Sequence, residues 1–95
     1  MKLLNFYKNH QLVYKITVSG NCMSPILNNG DVVKICPCSN YCVGDIVLCV
    51  DANRTKYIHR IHKIVGELYI TKADNNLCAD AQLLNNNDIF GKVIV

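Results

Sequence analysis

The sequence predicts a mainly β domain, a small curled sheet or partial barrel of short strands. Three observations carry that prediction. Short apolar runs, several with two-residue alternation, recur along the chain between Gly, Asn and Pro turns. Asparagines cluster at Asn28-Asn29, Asn75-Asn76 and Asn85-Asn86-Asn87, where a short polar side chain substitutes for part of a backbone turn. The chain has 95 residues, 51% of them hydrophobic and 18% charged, which supplies one core and makes 1–95 a single domain rather than a disordered chain.

The elements follow in order. Residues 1–13 are a lead-in, in which Leu3, Leu4, Phe6 and Tyr7 form one apolar face of a short helix. The period then changes to two. Residues 13–18 read as a strand ending in a Ser19-Gly20-Asn21 turn, and Pro25 and an Asn28-Asn29-Gly30 turn break the next stretch. Residues 31–36 form a strand and residues 37–41 a loop. Ile46, Val47, Leu48, Cys49 and Val50 are an unbroken apolar run, consistent with a central strand over residues 45–50. After an Asp51-Ala52-Asn53 turn, residues 57–65 alternate and join residues 68–71 through a Gly66-Glu67 hairpin. Residues 73–79 are a loop, residues 81–84 one helical turn, and residues 89–95 a last strand with Gly91 inside it.

Charge and cysteine usage narrow the setting. The net charge is +3 and no basic block exceeds two residues, so nucleic acid is not the expected partner. Lys34, Arg54, Lys56, Lys63 and Lys72 read as solvated surface charges. No apolar stretch reaches a signal-peptide core of about 7–15 residues or a membrane span of about 18. A cytoplasmic protein with reduced thiols is therefore expected, and a disulfide framework among the six cysteines is disfavoured. Cys36, Cys38 and Cys42 have the wrong spacing for a structural zinc site and would need a fourth ligand such as His62, so no metal is expected. Cys49 belongs to the core, and Cys78 has no evident partner.

Gly20-Asn21-Cys22-Met23-Ser24-Pro25 is the first segment with chemistry in it. Gly20 permits a sharp turn and Pro25 stiffens its exit. Such a turn exposes consecutive N–H groups, here those of Asn21 and Cys22, suited to an oxyanion, and sets the Cys22 thiol beside them. Taken alone, a turn cysteine is more often a small apolar filler than a nucleophile. His59 and His62 lie on opposite faces of an alternating segment and do not form a metal pair. A distant histidine can still act as base to a cysteine, and an aspartate such as Asp74 or Asp80 can orient it.

Order and spacing together resemble the type I signal peptidases and the self-cleaving SOS-repressor proteases. Their nucleophile box, G-x-S-M-x-P-x-L-x-x-G-D, is matched by residues 20–31, with Cys22 at the serine. Gly44-Asp45-Ile46-Val47 matches a second box, and His59-Arg60 the His-Arg form of the base box. Thr71-Lys72-Ala73-Asp74-Asn75-Asn76 matches T-K-G-D-N-N, with Ala73 for glycine, and residues 89–93 match the closing I-x-G-K-V. The resemblance spans residues 18–95 and implies a signal-peptidase-like, SOS-repressor C-terminal-like fold. The resemblance does not extend to the membrane anchor of true signal peptidases, so a role at the secretion channel is not expected.

The resemblance implies an endopeptidase acting on a peptide or precursor-protein substrate without cofactor. Cys22 would be the nucleophile, His59 the base and Asp80 its orienter. The N–H groups of Asn21 and Cys22 would hold the oxyanion, and Met23 and Leu27 would wall the substrate pocket. Gly20, Pro25, Arg60 and Asp74 would support the site. Cleavage after small residues, as in removal of a leader, is the expected specificity. The alternatives are a non-catalytic peptide-binding module and a self-processing regulatory domain.

Overall fold

A computed structural model describes residues 2–94. Helix α1 (Lys2–Asn9) opens the chain. Of the four apolar residues expected on one face, Leu4 and Tyr7, one turn apart, pack against the core, while Leu3 and Phe6 stay exposed. The buried stripe is thus narrower than the sequence suggests, because the helix touches the sheet along one row. The Lys8 ammonium donates to the carbonyls of Asn86 and Ile89 at 2.7 and 2.6 Å and pins the helix to the far end of the chain.

Seven strands follow: β1 (Tyr14–Thr17), β2 (Val32–Cys36), β3 (Ile46–Val50), β4 (Lys56–Val65), β5 (Leu68–Lys72), β6 (Leu83–Leu84) and β7 (Ile89–Ile94). They form one antiparallel sheet in the order β1-β2-β7-β3-β4-β5-β6, left open between its two end strands. The mainly β class and the partial-barrel character are as expected. Strand β3 sits in the middle. Leu48 and Val50 join a cluster with Tyr14, Ile35 and Phe90, while Val47 and Cys49 join another with Ile61, Tyr69 and Leu84. Both faces of β3 are dry, which accounts for its unbroken apolar run.

The expected helical turn over residues 81–84 is not formed. Leu83 and Leu84 instead pair with Ile70 and Tyr69 as β6, with Leu84 fully buried and Leu83 half exposed. Four residues are too few to nucleate a helix, whereas β5 offers an unpaired edge. The asparagine run after it caps a short 3-10 turn, Asn86–Asp88: Asn85 accepts from the Asn87 N–H and its own N–H donates to Asp88. Val95, assigned to the last strand, lies outside the described residues.

Gly91 has a packing reason. It faces Leu48 across β7 and β3, and a Cβ there would lie 2.6 Å from Ile35 Cγ2 and 2.8 Å from the Cys36 carbonyl oxygen. Backbone cannot yield as a side-chain tip can. Gly91→Ala is expected to destabilise the fold by about 1–3 kcal/mol, read as a lower urea midpoint; an unchanged midpoint would show that β2 moves freely away.

Candidate active site

The loop between β1 and β2 carries Cys22. Its base is closed by Val18 N–H to the Asp31 carbonyl (2.7 Å) and Gly30 N–H to the Val18 carbonyl (2.8 Å). Gly20 turns the chain at φ +87°, a conformation L side chains rarely adopt, and its N–H donates to the Asn29 side chain at 2.9 Å. Inside the loop, the Ser24 hydroxyl donates to Asn28 Oδ1 and the Asn28 N–H to Asp31 Oδ2. The polar residues therefore fold the loop on itself, and Cys22 stands exposed at its turn.

A second loop grips this turn from outside. The Asn75 N–H donates to the Cys22 carbonyl at 2.8 Å, the Asn75 amide to the Asn21 carbonyl at 3.2 Å, and the Asp74 N–H meets Met23 Sδ at 3.3 Å. The carbonyls of Asn21 and Cys22 are engaged, whereas neither residue's N–H donates to an acceptor among the described residues. Met23 is buried under the turn at 2% exposure. Ala73, in the glycine position of the box, is buried without positive φ, so the substitution carries no backbone strain.

Arg60 holds that second loop. Its guanidinium forks onto Asp74, Nε to Oδ1 at 2.9 Å and Nη2 to Oδ2 at 2.7 Å, while Nη1 donates to the Gly44 carbonyl. The guanidinium holds the Asp74 carboxyl below the usual carboxylate range. A carboxyl whose folded value is depressed adds stability that is complete above the unfolded value, near pH 4, and is lost as pH falls through the folded one. Asp74→Asn should therefore melt lower than wild type at neutral pH, and the gap should narrow below about pH 4. A gap independent of pH would remove the ion pair from the account.

His59 lies on β4 opposite Val47 of β3. Its Nδ1 is 2.5 Å from Asp80 Oδ2, which also accepts the Thr71 hydroxyl at 2.6 Å. The Asp80 N–H donates to the Thr71 carbonyl at 2.8 Å, so buried Thr71 fixes Asp80 by both main chain and side chain. A carboxylate oxygen accepts, so His59 Nδ1 donates and Nε2 keeps a free lone pair. Tyr57 stands edge-on to the imidazole, ring centroids 4.7 Å apart. Burial pushes the Tyr57 phenol up, and the Cys49 thiol beneath it likewise, which leaves both uncharged.

Cys22, Met23 and His59 line one cleft of about 260 Å³. No hydrogen bond joins Cys22 Sγ to His59; the imidazole is bonded to Asp80. The cleft walls are mostly apolar, with Ile16, Val18, Leu48, Ile58 and, from α1, Leu4. Leu27, expected in the pocket wall, packs instead against the Tyr14 cluster and does not line the cleft. Consecutive residues of β1 and of the first half of β4 line it, so it runs along strand edges rather than one face. These edges are open: β1 ends the sheet, and β5 pairs with β4 only from Arg60 onward.

The sequence reading missed Lys56 and Tyr57 as cleft residues and Asn75 and Thr71 as supports. Residues 56–59 read as ordinary alternation, and only the strand order reveals their unpaired edge. His62 falls where the β4–β5 register shifts, and lines a separate depression beside Arg60 and Lys72. Cys36 and Cys38 adjoin at the end of β2, but among the described residues no three His, Cys, Asp or Glu side chains converge on a metal position. No helix among those residues is long and apolar enough to cross a membrane.

A comparison with curated proteins returns no match. The chain does match the sequence model of a family described as Peptidase S24-like, over residues 2–94. The matched residues include α1, the helix that contributes Leu4 to the cleft. That extent agrees with the resemblance to SOS-repressor and signal-peptidase enzymes and with the open antiparallel sheet, and by it the chain belongs to the Peptidase S24-like family.

Proposed function

We propose that the chain is a one-domain endopeptidase that cuts an extended segment of a peptide or precursor protein by acyl transfer through Cys22. The observation that carries this reading is the pairing of His59 Nδ1 with Asp80, which leaves Nε2 free in the cleft shared with Cys22. His59 takes the thiol proton as sulfur attacks the scissile carbonyl. The free N–H groups of Asn21 and Cys22 receive the oxyanion. The tetrahedral intermediate collapses to a thioester as protonated His59 gives its proton to the leaving amine. Water, activated by the same imidazole, then hydrolyses the thioester and restores the thiol. Asp80 holds the productive tautomer throughout, and the steps use no cofactor.

The substrate enters as a strand between the open edges of β1 and β4. Edge pairing engages its main chain, so the segment must be unfolded, as a leader junction or a tether is. Small residues before the cut and two positions upstream remain the proposed preference, with apolar walls discriminating by size. A cytoplasmic processing role fits this chemistry. Incubation with a peptide library and mass spectrometry of the new termini tests the reading. Cuts after Ala, Gly or Ser are expected. A strict demand for Arg, Lys or a bulky aromatic before the cut overturns the specificity, and tight binding without any cut favours a binding module.

A further inference from the structure

We propose that Lys56 makes the cleft select substrates carrying an acidic side chain about three residues from the scissile bond. The inference rests on the peptidase reading for its reference point, the bond held at Cys22. Lys56 lines the same cleft as Cys22 and His59, and no Asp or Glu does. Its ammonium has no partner among the described residues, whose ion pairs are His59–Asp80 and Arg60–Asp74. The nearest preceding acidic residue in the chain, Asp51, turns Oδ1 to the N–H groups of Asn53 and Thr55 and forms no ion pair with Lys56. Lys56 is thus a cation without an ion-pair partner among the described residues, in a cleft whose walls are mostly apolar.

Position follows from strand geometry. Lys56 precedes His59 by three residues on β4, so their Cα atoms are about 10 Å apart along the strand. An extended substrate beside β4 has the same rise, which sets the residue opposite Lys56 about three places from the cut. Side chains on such a strand alternate, so an acidic residue there and the apolar or small residue nearest the cut lie on opposite faces. The cleft meets both demands because residues on both faces of β4 line it: Lys56 and Ile58 on one, Tyr57 and His59 on the other.

The test uses the full chain with Cys22→Ala, so that bound peptides persist, and the same protein carrying Lys56→Glu in addition. Each is exposed to an unstructured peptide library in which a single position is Glu, Gln or Lys, and retained peptides are identified by mass spectrometry. Glu over Gln is expected to be enriched roughly two- to five-fold on Cys22→Ala, the range of one exposed ion pair, and less so in high salt. Lys56→Glu should reverse the order so that Lys-bearing peptides are retained. Equal retention of Glu, Gln and Lys, or one preference in both proteins, overturns the proposal. Library turnover by the protein with native Cys22 separates the two readings. Cleavage without charge preference overturns the role of Lys56 and leaves the peptidase standing. Charge-selective retention without cleavage overturns the peptidase and keeps Lys56 as a recognition residue. Neither retention nor cleavage overturns both.

Discussion

Cys22→Ala is expected to lower peptide cleavage by at least about 10³-fold while leaving the protein folded. The two halves of that expectation have separate causes. Removing the sulfur removes the atom that forms the acyl bond in the cleft that Cys22 shares with His59. The fold is spared because Cys22 is exposed on a turn held by its carbonyl, not by its side chain. A change of that kind alters stability by about 0.5 kcal/mol or less. Cys22→Ser restores the residue of the family's box and should keep part of the activity, since a hydroxyl yields its proton less readily than a thiol. Steady-state cleavage and a urea titration on the same samples check both halves. Wild-type cleavage by Cys22→Ala would remove this residue from the mechanism.

The second large effect belongs to the imidazole and its carboxylate. His59→Ala should lose cleavage to a similar extent, with partial recovery on adding imidazole, which can occupy the vacated space as a free base. Asp80→Asn should reduce kcat by roughly 10²–10⁴-fold with little change in KM. An amide in place of the carboxylate can offer its NH₂ to Nδ1, turning the tautomer so that Nε2 carries the proton and cannot accept one from Cys22. Thr71→Val tests the next link, because it removes the hydroxyl that holds Asp80 Oδ2 and keeps the buried volume. Asp74→Asn should act mainly through stability. A well-folded, inactive Asp74→Asn beside an active Asp80→Asn would invert the assignment of the third residue.

Much of this was legible in the residues because local rules and tertiary demands coincide. The apolar run of β3 announced a central strand, and the Gly66-Glu67 turn announced the β4–β5 hairpin. The nucleophile loop was readable because its glycine, proline and asparagines serve the loop itself. Leu83 and Leu84 misled because two leucines carry no period, and only the vacant edge of β5 decides their state. Leu27 misled because its spacing from Cys22 says nothing about which side of the loop meets the core. Lys56 was hidden for another reason. A lysine at a strand end looks like surface until the topology shows that β5 stops short of it and that the cleft begins there. What sequence could not carry was the gap between β1 and β4, a property of strand order.

The coupling of Cys22 to His59 and Asp80 can be measured without any substrate, by the rate at which iodoacetamide alkylates each cysteine at neutral pH. Cys42 and Cys78 are exposed and distant in role, so they serve as internal controls, and buried Cys49 sets the slow limit. A thiol reacts as its thiolate, and a base that accepts its proton raises that fraction. Cys22 is predicted to react about ten-fold faster in wild type than in His59→Ala, with Asp80→Asn between them and the control cysteines unchanged in all three. Alkylation of Cys22 at one rate in the three proteins would contradict the account, since His59 and Asp80 would then form a pair that does not act on the thiol.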